Sequence, residues 1–292
     1  MPQNPYPERK YSATRKRATI PAVLAAVVLA VPAVAAASAA PSQAPAVAAA
    51  STHHGPKPTV VLVHGAFADS SSWNGVITRL EHDGYPVIAA ANPLRGLDND
   101  AAYVSSILST IPGPVILVGH SYGGEVITDA AVGHANVKAL VYIAAFAPDQ
   151  GESALQLTGM NPGSQLGAAL VVRPYTDAGG GGADGYVDET KFHAVFAADL
   201  PAATADLMAA EQRPVALAAL QGASGAPAWK TIPSWYLVAG ADQAIPAATE
   251  KYMAKRAGSH TVVIPGASHA VMVSHPDQTE DLIVRAARAT GW

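Results

Sequence analysis

The residue best suited to act as a nucleophile is Ser121, within Gly119-His120-Ser121-Tyr122-Gly123. The apolar run Pro114-Val115-Ile116-Leu117-Val118 leads into it. The helix-compatible run Gly124-Glu125-Val126-Ile127-Thr128-Asp129-Ala130-Ala131 leads out. Strand, G-x-S-x-G and helix describe a sharp turn that lifts a serine Oγ clear of a sheet. A serine there occupies strained backbone, and side chains at the flanking glycines would strike neighbouring elements. The turn also aims the Tyr122 amide and the helix N-terminus at an oxyanion forming above the serine. The pentapeptide alone is a weak signal, and its flanks and partners give it weight.

Acyl transfer by serine needs a base and an acid that orients the base. After Trp235-Tyr236-Leu237-Val238 comes Ala239-Gly240-Ala241-Asp242-Gln243, and after Thr261-Val262-Val263-Ile264 comes Pro265-Gly266-Ala267-Ser268-His269-Ala270. Asp242 and His269 thus each sit just past an expected strand end, where they can meet Ser121 at one edge of a sheet. Asp149 is the rival acid, since it follows the strand ending at Ile143, but its turn with Gln150 and Gly151 suits a hinge better. His275 precedes a proline and His260 begins a strand. His120 points away from the serine by alternation, and His64, before Gly65, fits a loop brace. A second oxyanion donor is expected from His64-Gly65-Ala66-Phe67, with the Ala66 amide as the candidate beside that of Tyr122. Phe67, Trp73, Phe146 and Met208, with Tyr122, are the candidates to line an apolar substrate pocket. No Arg or Lys adjoins these motifs, which favours a neutral ester of small or medium size.

The elements that must position these residues alternate along the chain. Strands are expected at 59–63, 86–90, 114–118, 137–143, 234–238 and 260–264. Several are unbroken β-branched runs, the pattern of strands buried on both faces of a parallel sheet. Helices are expected at 73–83, 98–110, 124–133, 247–257 and 278–289. The fold class is therefore α/β, a mostly parallel sheet of about six strands with helices on both faces. Residues 148–230 break the rhythm. They show no clear strand, a mobile loop at Gly179-Gly180-Gly181-Gly182, and helical stretches at 191–198 and 202–219 interrupted by Pro214. An insertion there at the C-terminal side of the strands is expected to form a helical lid.

The chain has 292 residues, 50% hydrophobic and 14% charged, and no cysteine, which excludes disulfides and thiolate chemistry. Arg9, Lys10, Arg15, Lys16 and Arg17 precede an apolar stretch at 20–37 and the small residues Ser38-Ala39-Ala40. This reads as a secretory signal peptide over 1–40, with an export route left open and a secreted product expected. Pro21, Pro32 and the many alanines argue against a stable membrane anchor. Residues 41–58, rich in Pro, Ala and Ser, read as a disordered linker, and 59–292 as one domain. Five of the 18 Lys and Arg lie before Ala18, against one acid, Glu8, so the remainder carries 13 basic and 21 acidic residues, a net of −8. An acidic body does not suggest nucleic acid as a partner. The sequence leaves the oligomeric state open.

Together, Val61-Leu62-Val63-His64-Gly65-Ala66, Gly119-His120-Ser121-Tyr122-Gly123-Gly124, Gly240-Ala241-Asp242-Gln243 and Gly266-Ala267-Ser268-His269 resemble the α/β-hydrolase superfamily. The chain is similar to its small branch of plant methylesterases, hydroxynitrile lyases and bacterial carboxylesterases, which also begins directly at the His-Gly strand. Gln212-Arg213-Pro214-Val215 and the run from Ala147 to Ser153 look similar to bacterial members. The resemblance implies a carboxylesterase with no cofactor, acting through Ser121, His269 and Asp242. Lyases of this branch carry a threonine beside the oxyanion loop and a lysine after the catalytic histidine. Gly65 and Ala270 stand at those places, which speaks against cyanide chemistry. A lyase or cofactor-free oxygenase on the same scaffold, or a non-catalytic receptor, remain the alternatives.

Overall fold

The computed structural model describes residues 55–176 and 179–292. The expected signal peptide over 1–40 and most of the linker over 41–58 lie outside the described residues. Among the described residues, no helix is long and apolar enough to cross a membrane.

The first half alternates β1 (Thr59–Val63), α1 (Asn74–His82), β2 (Val87–Ala90), α2 (Leu97–Ser109), β3 (Val115–His120), α3 (Tyr122–Ala130) and β4 (Val137–Ile143). The insertion follows with α4 (Ala154–Thr158), α5 (Leu166–Ala169), β5 (Leu170–Tyr175), β6 (Gly182–Val187), α6 (Glu189–Phe196), α7 (Ala202–Glu211), β7 (Val215–Ala216) and α8 (Leu217–Gln221). The chain closes with β8 (Ser234–Ala239), α9 (Ala247–Arg256), β9 (His260–Ile264), α10 (Val271–Ser274) and α11 (Pro276–Ala289). The main sheet has the order β2-β1-β3-β4-β8-β9, and every pairing is parallel.

The unbroken apolar runs have a simple cause. Val61, Val63, Leu117, Tyr142 and Val238 pack on one face of this sheet. Val60, Leu62, Ile116, Val118 and Leu237 pack on the other. Successive side chains point to opposite faces, so a strand covered on both sides needs an apolar residue at every position. α2, α3 and α9 cover the first face through Val104, Leu108, Val126, Ile127 and Met253. α1 and α11 cover the second through Val76, Leu80, Leu282 and Ile283.

The insertion corrects one expectation. It is not purely helical: β5, β6 and β7 form a separate antiparallel sheet. These strands escape sequence reading because β5 carries Pro174, β6 reads Gly-Ala-Asp-Gly-Tyr-Val without an apolar alternation, and β7 is two residues long. Proline is tolerated in β5 because that strand lies at the sheet edge. The interruption expected at Pro214 within 202–219 is present and wider than one residue, with β7 between α7 and α8. α7 stops at Glu211, and the Gln212 side chain then takes the place of a strand partner. Its Oε1 accepts from the Val187 amide at 2.8 Å and its Nε2 donates to the Val187 carbonyl at 2.9 Å.

Trp73 also departs from expectation. It does not line a substrate pocket but lies fully buried in the second-face core, edge-on to His120 with ring centroids 6.4 Å apart. Trp73→Ala is expected to lower the unfolding free energy by about 3–5 kcal/mol, the usual cost of emptying an aromatic core site. Urea titration measures it.

Candidate active site

The C-terminal edge of the main sheet gathers the chemistry. Ala66 follows β1, Ser121 follows β3, Asp242 follows β8 and His269 follows β9. Ser121 has φ 53° and ψ −125°, a backbone state that a side chain makes costly. Its carbonyl holds the turn, accepting from the Gly124 amide at 2.9 Å and from the Phe146 amide at 3.1 Å. Two glycines allow the backbones to close around it. A Cβ on Gly65 would stand 2.6 Å from Ser121 Cβ, and one on Gly123 would stand 2.5 Å from the Val63 carbonyl oxygen.

The side chains meet in sequence. Ser121 Oγ lies 2.9 Å from His269 Nε2, and His269 Nδ1 lies 2.5 Å from Asp242 Oδ2. Asp242 Oδ1 accepts the Ala244 amide at 2.6 Å and the Ile245 amide at 2.9 Å. These contacts fix the tautomer: His269 carries its proton on Nδ1 and presents a bare Nε2 to the serine hydroxyl. All three residues are buried, which strengthens each contact by excluding water. Among the described residues, the Ala66 and Tyr122 amides donate to no protein acceptor. Both residues line the cavity that holds Ser121, as oxyanion donors must.

Asp149 goes elsewhere. Lys230 Nζ donates to it at 2.5 Å, and that contact holds its carboxyl below the usual range. It closes the base of the insertion, where Arg256 also binds Glu152 at 2.7 Å and Trp229 Nε1 donates to the Pro148 carbonyl at 2.8 Å. His64 and His275 make structural contacts. His64 Nδ1 lies 2.9 Å from the Gly65 carbonyl, and its own carbonyl accepts Asn92 Nδ2 at 3.0 Å, so it braces the oxyanion loop. His275 is tied to Ser274 Oγ at 2.8 Å. His120 is closer to the site than alternation suggests. Its Nε2 donates to the His269 carbonyl at 3.0 Å, and the two rings stand 4.8 Å apart. Burial lowers the basicity of both His64 and His120.

The cavity at Ser121 has a volume of about 90 Å³. Phe67 and Phe146 line it, together with Leu155, Leu166, Leu170 and Ile245. Met208 does not. It lines a neighbouring groove of about 550 Å³, and Phe67 is the wall common to both. Phe196 is a functional neighbour that sequence reading missed. Its ring stands edge-on to His269 with centroids 4.8 Å apart, and its carbonyl accepts the Ala270 amide at 2.9 Å. No local motif marks Phe196, because only the folding of the insertion brings it across 73 residues to the histidine.

Residues 60–282 match the alpha/beta hydrolase family, and the chain belongs to that family. An alpha/beta hydrolase of Aspergillus novofumigatus is 26% identical over 253 residues, covering 79% of this chain and 97% of its own. A pyrethroid hydrolase of Sphingobium wenxiniae is 28% identical over 254 residues, covering 79% and 88%. Among solved structures, polyneuridine aldehyde esterase shares the fold, with a TM-score of 0.68 at 18% identity over 78% of this chain and 98% of that one. A pyrethroid hydrolase from Sphingobium faniae has a TM-score of 0.64 at 25% identity over 80% and 98%. Relatives named hydrolase and esterase support ester hydrolysis as the activity of this chain.

The contrasting surroundings of the two acids separate their roles. Asp242→Asn is expected to lower kcat by about 10⁴, because an amide at this place stabilises the wrong imidazole tautomer. Asp149→Asn is expected to change kcat by less than about threefold, since an exposed ion pair contributes under about 1 kcal/mol. Steady-state kinetics on a chromogenic ester compares them, and the reverse order would move the acid to Asp149.

Proposed function

We propose that the protein is a serine carboxylesterase that cleaves small to medium neutral esters through an acyl-enzyme on Ser121. The observation that carries this reading is the contact chain from Ser121 Oγ through His269 to Asp242 at the mouth of an apolar cavity. His269 Nε2 takes the hydroxyl proton as Oγ attacks the ester carbonyl. The oxygen of the tetrahedral intermediate lies against the Ala66 and Tyr122 amides, and each such donor is worth about 10²–10³ in rate. The imidazolium returns the proton to the leaving alcohol. Water, deprotonated by the same nitrogen, then releases the acid.

The cavity wall supports a neutral substrate class. It offers Phe67, Phe146, Phe196 and aliphatic side chains, with no Lys or Arg among the lining residues. An ionised acyl group would be left unpaired there, at a cost of several kcal/mol. The two lysines of the insertion are engaged away from the cavity: Lys191 Nζ donates to the Ala168 carbonyl at 2.8 Å, and Lys230 to Asp149. The names of the relatives, a pyrethroid hydrolase and a carbendazim hydrolyzing esterase, agree with neutral substrates. In this reading residues 148–230 act as the lid over the cavity.

A serine-directed phosphonate is expected to label Ser121 with one-to-one stoichiometry and stop hydrolysis of short acyl esters. Ser121→Ala should abolish both, with essentially no cyanide released from mandelonitrile by the wild type. Labelling at another residue, or Ser121-dependent cyanide release rivalling ester hydrolysis, overturns the assignment.

We also propose that the chain is exported and cleaved near Ala40. The basic residues before Ala18, the apolar stretch and the small residues at 38–40 support this. Intact-mass measurement of culture supernatant should find a product starting near Pro41, and a full-length, membrane-bound chain would refute it.

A further inference from the structure

Glu250 is buried where a charged carboxylate has little support. It lies on α9 with 0% exposure. Its Oε2 accepts the Ala239 amide at 3.1 Å. Its Oε1 receives no donor. The carboxyl instead faces that of Asp242 within hydrogen-bonding reach. Two carboxyls in such contact attract only if one carries a proton. The donors decide which. Asp242 accepts two backbone amides and His269 Nδ1, whereas Glu250 accepts one amide. The negative charge therefore rests on Asp242 and the proton on Glu250.

We propose that Glu250 is a positioning residue: as a neutral acid it donates to the Asp242 carboxylate and holds it against His269. This rests on the esterase reading for its kinetic consequence, though not for its proton. Contacts then run Glu250 to Asp242 to His269 to Ser121, with one net negative charge at rest. Burial, followed by the charge of Asp242, pushes the Glu250 carboxyl well above the ordinary glutamate range. The other titratable groups near it act more weakly. Lys251, next along α9, opposes that shift, while Tyr236 on β8 lies within electrostatic range and stacks on Tyr142 of β4. Burial raises both phenols, so neither adds charge at neutral pH. Glu250 touches neither the cavity nor Ser121, so its effect should fall on kcat and on the pH profile rather than on KM.

Three proteins test this: wild type, E250Q and E250L. Glutamine keeps both contacts, since its amide donates to Asp242 and its carbonyl accepts from Ala239, and it cannot ionise. E250L removes a hydrogen bond to a charged group, and kcat on a short acyl ester is expected to fall about 10- to 100-fold. Without that donor Asp242 draws the imidazole proton more strongly, so the acid limb of kcat/KM should move up by about 0.5 unit. E250Q should recover most of the lost activity and hold its plateau to higher pH than wild type, which acquires a second negative charge as Glu250 ionises.

A second readout needs no activity. A carboxyl whose folded pKa is raised keeps its proton in the folded chain after the unfolded chain has released it. Rising pH therefore favours unfolding between the two pKa values. The folding constant of wild type relative to E250Q should fall by up to about tenfold per pH unit above the pKa of an exposed glutamate, and chemical denaturation across pH reads it. A flat ratio overturns the proton assignment. A folded E250L with wild-type kcat and pH profile overturns the positioning role, as does E250Q with the impairment of E250L. Should E250L not fold, the E250Q profile decides alone, and an alkaline limb identical to wild type overturns the role. If wild type shows no Ser121-dependent ester hydrolysis, the esterase reading fails while the folding comparison still judges the proton on Glu250.

Discussion

The site depends on one contorted residue. Ser121 holds φ 53° at the junction of β3 and α3, a conformation that costs of order 1–3 kcal/mol. The strand before it and the helix after it do not let it relax. Ile116, Val118, Val126 and Ile127 are fully buried on either side, and each such side chain contributes about 1.5–3 kcal/mol by leaving water. Burial therefore outweighs the strain several times over. The same strain lifts Oγ toward His269 and leaves the Tyr122 amide outside the helix ladder, free for an oxyanion. Phe67 repeats the device one strand away: its φ of 61° turns the loop just after Ala66.

Around this fixed point the molecule divides the work. β1, β3, β8 and β9 supply every group that would move a proton or hold a charge. The insertion supplies Phe196 and much of the apolar wall, from Ala154 and Leu155 to Leu170 and Leu220. It is anchored at its base by Asp149 with Lys230 and Glu152 with Arg256, and on its far side by Arg95 with Asp184 at 2.9 Å. Walls carried on such a segment can vary in shape without disturbing chemistry held by the sheet.

Several buried titratable groups are shifted toward their neutral forms. Burial keeps His64 and His120 neutral, and burial pushes the Glu125 carboxyl well above the ordinary range. Tyr122 donates its hydroxyl to Asp100 at 2.9 Å, so its side chain serves the core while its amide faces the cavity. An imidazolium forming at His269 therefore finds Asp242 as its hydrogen-bonded counter-charge.

Much of this was legible in the residues alone. Several of the six strands came from unbroken apolar runs, because a strand covered on both faces leaves little room for a polar side chain. Ser121 came from its glycines, because close backbone approach excludes Cβ atoms at fixed spacings from the serine. Asp242 and His269 came from their places just past strand ends. These signals are local, and local geometry is written in local sequence. The sheet within the insertion was not legible, since β5 carries a proline, β6 lacks apolar alternation and β7 is two residues long. Nor were the places of Trp73, Met208 and Phe196, because an aromatic or aliphatic side chain is chemically as fit for core as for cavity. Which it becomes depends on the faces that tertiary packing brings together. Glu250 shows the same limit: in sequence it is one acid on an amphipathic helix. Only the fold, by burying it against Asp242 with a single amide to accept, decided that it should keep its proton.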